Sequence, residues 1–177
     1  MDDKQRLLAF VQRTRKNLRV TEKWRKDHPT DGFSEVTNLI NSLLGLIIAP
    51  TEENKTERMK KILDEIDQPA VEPTGIRRWQ AYFIIDGDAP PKDLPSLLFG
   101  LRNAIAHYAF EYVPDGAGNI TGVIFHVVPW GRRGKPPPPP WDATFTLSEL
   151  LTFLDGFADE VEKVCKKRAR REPSAGH

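Results

Sequence analysis

The sequence predicts a mainly α fold: a helical bundle of about five helices with a β-hairpin appendage. Two observations predict it. Apolar residues recur at helical spacing in five separate stretches. One stretch, residues 110–128, instead carries two β-rich runs around the turn-forming "PDGAGN".

The elements follow in order. Leu7, Val11, Thr14 and Leu18 form a helical stripe, widened by Leu8 and Phe10, and predict a long amphipathic helix over 3–27. "HPTDG" breaks it, and Thr30 or Asp31 can cap a second helix near 32–49. That helix is apolar through Val36, Leu39, Ile40, Leu43, Leu44, Ile47 and Ile48. Glu35, Asn38 and Ser42 recur at steps of three and four and share one narrow polar face, with Asn41 beside it. Met59, Ile62, Leu63 and Ile66 mark a shorter third helix. Residues 68–92 are irregular and proline-punctuated, and "WQAYFII" within them suits a short strand or a buried extended segment. A fourth helix runs from Leu94 to Ala109, with Leu97, Leu98, Leu101, Ile105 and Tyr108 as its core stripe. The hairpin comes next. The five prolines of 136–140 donate no backbone hydrogen bonds and predict a stiff surface connection. "TLSE", Thr146 to Glu149, resembles a capping box and opens a last helix over 147–165. Residues 1–170 are expected to form a single domain, and 171–177 a flexible polar tail.

Composition narrows the function. Hydrophobic residues at 39% and charged residues at 29% describe a soluble, globular chain. No apolar run spans a bilayer, and "MDDKQRLLAF" lacks a secretory apolar region, so no membrane association is expected. The lone Cys165 makes no internal disulfide, which sets a reducing, cytoplasmic location as the expectation. No Cys/His cluster has zinc spacing, and neither a metal nor a cofactor is expected. A net charge of +1 argues against an indiscriminate nucleic-acid binder, which would be clearly basic. His126 reads as a structural strand residue, His28 and His177 as turn and tail residues, and Asp86–Asp88 as a turn.

The polar cluster in "LRNAIAHYAF" carries the chemistry. Arg102 and Asn103 are adjacent, and His107 follows Asn103 by four residues, on the same helical face. Arginine holds a phosphate in a planar fork and neutralises charge that grows on it. Histidine exchanges a proton near neutral pH, and asparagine can orient either partner. These types suit RNA cleavage by the 2′-hydroxyl, which leaves a 2′,3′-cyclic phosphate and a free 5′-hydroxyl. Arg102 is nevertheless offset from His107 by about 140° on an ideal helix.

"LRNAIAHY" resembles the signature of the HEPN superfamily: an arginine, a polar residue, a few spacers and a histidine. "FVQRTRKNL" followed by "EVTNLINSLLGLIIAP" is similar to the opening of a HEPN subgroup from bacterial plasmids and chromosomes. With the hairpin, the resemblance covers most of residues 8–128. It implies a HEPN-like helical bundle and a metal-independent endoribonuclease of toxin–antitoxin or phage-defence systems. Arg102, Asn103 and His107 would be its catalytic residues, with Glu35, Asn38 and Ser42 supporting the cleft. The resemblance further implies a homodimer with a shared cleft, RNA as substrate, and an antitoxin or a nucleotidyltransferase as partner. The alternative is a non-catalytic HEPN-like module that binds a partner protein or RNA. For the polar face of the second helix the alternative is an interhelical packing network.

Overall fold

The structure, a computed structural model, describes residues 3–27, 37–43, 45, 63–66, 79, 83–88, 90–129 and 137–171. Glu35, the beginning and end of the second expected helix, most of the third, residues 131–136 and the tail beyond Arg171 lie outside the described residues.

Three helices have their bounds described: α1 (Asp3–Asp27), α2 (Leu94–Ala106) and α3 (Leu147–Arg171). Residues 37–43 and 63–66 are also helical, and Leu39, Ile40, Leu43, Leu63 and Ile66 are buried in the same core as Val11 and Leu18 of α1. Helix α1 lies along α3, and Arg15 ties them together. Its Nε donates to Asp155 Oδ1 at 2.8 Å, and its Nη1 donates to Asp159 and faces Glu162 Oε1 at 3.8 Å. Burial opposes the guanidinium charge, but Asp159 and Asp155 outweigh it and raise the Arg15 pKa above its ordinary value. Helix α2 opens on Asp93, whose Oδ1 accepts from the Ser96 amide at 2.7 Å, with Pro95 in the first turn where its missing N–H costs nothing. Helix α3 opens on the reciprocal pair expected of "TLSE". The Thr146 amide donates to Glu149 Oε2 at 2.8 Å, and the Glu149 amide donates to Thr146 Oγ1 at 3.2 Å.

The expected mainly α bundle with a hairpin appendage is corrected by the sheet. Four strands, β1 (Ile84–Gly87), β2 (Phe110–Pro114), β3 (Ile120–Val127) and β4 (Trp141–Thr146), form one antiparallel sheet in the order β1-β4-β3-β2. The fold mixes α and β, and the sheet is a wall of the core. Val123, Phe125 and Val127 of β3 pair with Phe145, Ala143 and Trp141 of β4, and all six are buried. Onto this face packs α3, through Phe153, whose ring centroid lies 5.7 Å from that of Phe145 and 5.6 Å from that of Trp79. The physical reason is that an isolated hairpin is marginal in water, whereas four strands under helices bury an entire apolar face.

Gly100 sets how closely α2 approaches the sheet. A Cβ there would stand 2.5 Å from the Trp141 ring and 2.9 Å from Val127 Cγ1. Only a glycine lets the helix descend onto the end of β3 and β4. The Arg-Asn-x-x-x-His segment is thereby carried down to that end of the sheet.

Candidate functional site

Helix α2 ends inside the motif. The expected helix reaches Ala109, but the observed one stops at Ala106, with His107 as its C-cap. Tyr108 then takes φ = 54°, a left-handed conformation that costs a non-glycine residue about 1–2 kcal/mol. In exchange the last carbonyls are satisfied: Tyr108 N donates to Ile105 O at 3.1 Å, and Ala109 N donates to Ala104 O at 2.8 Å. The reversal turns the chain directly into β2. It leaves His107 exposed at the helix end, with its amide bonded to Asn103 O at 3.0 Å.

The three motif residues occupy three environments. Asn103 is buried, at 8% exposure, and Arg102 is half-buried. Arg102 Nη1 donates to Asn103 Oδ1 at 3.0 Å, so the guanidinium is anchored beside the amide instead of extending freely. Asn103 and His107, one turn apart, both line a cleft of about 360 Å³, together with Ala104, Ala109, His126, Val128, Pro129 and Pro137. Asn103 also lines a neighbouring cleft of about 420 Å³, walled by Pro91, Lys92, Phe99, Pro138 and Trp141 among others. Asn103 and Pro129 are common to both clefts.

The other sequence-derived candidates fall elsewhere. Asn38 is half-buried and Ser42 is buried at 8% exposure, but neither lines these two clefts. Glu35 lies outside the described residues. Asp86 is the penultimate residue of β1, where its Oδ1 accepts from the Gly87 amide at 2.8 Å, and Asp88 is an exposed bend residue. Among the described residues no group of three or more His, Cys, Asp or Glu side chains is arranged to hold a metal ion. None of the described helices is long and apolar enough to cross a membrane.

One cleft residue escaped sequence reasoning. His126 lies directly opposite Asp142 in the β3–β4 register, with Nδ1 3.0 Å from Asp142 Oδ1. Glu111 of β2 faces its Nε2 at 3.7 Å. The signal for this was the alternation Trp-Asp-Ala-Thr-Phe-Thr over 141–146, which marks a strand and puts Asp142 on the same face as His126.

A family-model match places the chain among HEPN proteins. More narrowly, the family model HEPN pEK499 p136 matches residues 1–168, and the chain belongs to that family. No curated protein and no solved structure matches it.

Proposed function

We propose that the chain is an endoribonuclease of HEPN type that cleaves RNA without a metal, acting as a homodimer in a toxin–antitoxin or phage-defence setting. The observation that carries the reading is Asn103. Its Oδ1 holds the Arg102 guanidinium at 3.0 Å while its side chain shares a cleft with His107. A phosphodiester in that cleft would meet the Asn103 amide and the His107 imidazole, with the Arg102 guanidinium held against the amide. Arg102 balances the charge that builds on the phosphoryl oxygens. His107 takes part in proton transfer as the 2′-hydroxyl oxygen bonds to phosphorus and the bond from phosphorus to the 5′-oxygen breaks. The products are a 2′,3′-cyclic phosphate and a 5′-hydroxyl.

The test is cleavage of single-stranded RNA by purified protein in the presence of a chelator, with end-group analysis. His107→Ala is expected to abolish cleavage while its circular dichroism and melting temperature match wild type. Cleavage by the variant at the wild-type rate would sink the assignment. Retention of RNA without any cleavage by wild type would identify a binding module instead, the reading that the near-neutral net charge of +1 favours.

A further inference from the structure

In each protomer the motif brings one histidine to the cleft, but cleavage by an RNA 2′-hydroxyl moves two protons. One leaves the 2′-hydroxyl, and another must reach the departing 5′-oxygen. The structure contains a second histidine for this. His126 stands on β3, a different element from α2, yet it lines the same cleft as Asn103 and His107.

Three features distinguish it from an ordinary strand histidine. The β3–β4 register fixes it opposite Asp142, at 3.0 Å from Nδ1 to Oδ1. An ionised carboxylate only accepts hydrogen bonds, so Nδ1 carries the hydrogen and Nε2 is the atom left to exchange a proton. Nε2 is shielded from solvent and makes no hydrogen bond. Shielded polar atoms are nearly always satisfied, so an unsatisfied one calls for an explanation, and a catalytic role is one. Finally, two carboxylates flank the ring, Asp142 at Nδ1 and Glu111 at 3.7 Å from Nε2. The side chain is 36% exposed, so the ring itself is open to solvent while Nε2 is not. Contact with a bound nucleotide therefore requires the ring to shift when the cleft fills. Acid–base hydrogen bonds commonly tighten in this way between the free protein and its complex.

We infer that His126 is the general acid of the cleavage and that Asp142 is its positioning residue. The inference rests on the ribonuclease reading above. His107 accepts the proton of the 2′-hydroxyl, whose oxygen forms the new bond to phosphorus. The bond from phosphorus to the 5′-oxygen breaks, its electron pair stays on that oxygen, and His126 Nε2 supplies the proton. Water then returns both rings to their starting states.

A substrate that needs no acid tests the assignment. In a short RNA whose scissile 5′-oxygen is replaced by sulfur, the leaving thiolate departs without protonation. His126→Gln is expected to cleave ordinary RNA about 10²–10⁴-fold more slowly than wild type. It should cleave the sulfur-bridged RNA at close to the wild-type rate. His107→Gln should lose both activities. Asp142→Asn should show the His126→Gln pattern in weaker form, and it carries the test if His126→Gln fails to fold by circular dichroism. Wild-type activity of His126→Gln on ordinary RNA, or an equal loss on both substrates, would overturn the acid role and leave the ribonuclease reading standing. A wild-type protein that cleaves neither substrate would overturn that reading, and this inference with it.

Discussion

Arg102 and Asn103 are joined through their side chains. The arginine side chain leaves α2 on a different face from His107, by about 140° on an ideal helix. Asn103 bridges part of that gap, because it lies one turn before His107 and accepts from the guanidinium at 3.0 Å. A planar cation can hold Asn103 through one nitrogen and still offer others to a phosphate. A lysine in its place keeps the charge but not the fork. Arg102→Lys is therefore expected to lose roughly 2–4 kcal/mol of transition-state stabilisation, about 30-fold to 10³-fold in rate. Equal rates of RNA cleavage for this variant and wild type would reduce Arg102 to a helix-surface residue. These residue types and their spacing were readable from the chain alone. The reversal at Tyr108 was not, because a left-handed φ at an aromatic residue has no sequence marker comparable to glycine.

Elements were readable where their periodicity was long. Helix α1 spans Asp3–Asp27, as its stripe predicts, and α3 starts at the capping box but continues to Arg171, past the last apolar residue of its stripe. The hairpin strands and their turn also fall where the alternation places them. Strand β1 begins in the last two residues of "WQAYFII", for which a short strand was one of two readings, and β4 was obscured by its neighbours. The first is four residues long, and the second is pinched between five prolines and a helix cap. Short strands acquire their identity from the strands they pair with, and that partnership is not local. The contact of His126 with Asp142 was hidden for the same reason, since Asp142 belongs to the strand that local patterning hides.

Two variants probe the elements directly. Alanine at a helix-interior glycine usually gains about 0.5–1 kcal/mol. At Gly100 the added methyl would meet the buried Trp141 ring, and overpacking costs about 1–3 kcal/mol. Gly100→Ala should thus lower stability in denaturant titration, against the helix-propensity trend, and an unchanged or higher midpoint would refute the close approach. In the hairpin turn, Asp115 Oδ1 accepts from the amides of Ala117 and Asn119, both at 2.8 Å, and Oδ2 accepts from Asn119 Nδ2 at 3.0 Å. The Asn119 side chain first, then these amides, hold the carboxyl below its ordinary pKa. A lowered folded-state pKa contributes stability above the unfolded value of about 3.9, lost as pH falls through the folded value. Asp115→Ala should therefore melt below wild type at pH 7, and the gap should close as the pH drops below about 4. A gap that stays constant down to pH 2 would mean that the carboxylate contributes nothing.

At the scale of the whole molecule, the question is why so much apolar surface surrounds the motif. Tyr108 is 86% exposed, Val128 66% and Phe99 52%, and all three flank the end of α2 or its clefts. Exposed apolar groups gathered at one site suit a partner surface. A second copy of this chain is the partner that the offset between Arg102 and His107 also calls for. Twofold pairing across this end would make the patch self-complementary. It would let the arginine of one protomer serve the histidine of the other across a single RNA strand. Arg102→Ala and His107→Ala chains should each be inactive alone. Mixed and allowed to exchange subunits, they should regain part of the wild-type activity, because half of the heterodimer's sites would draw both intact side chains from opposite protomers. Sedimentation of the wild-type protein at micromolar concentration should give a dimer. A fully active monomer would reject the pairing, and a dimer whose mixed variants stay inactive would reject the shared site alone.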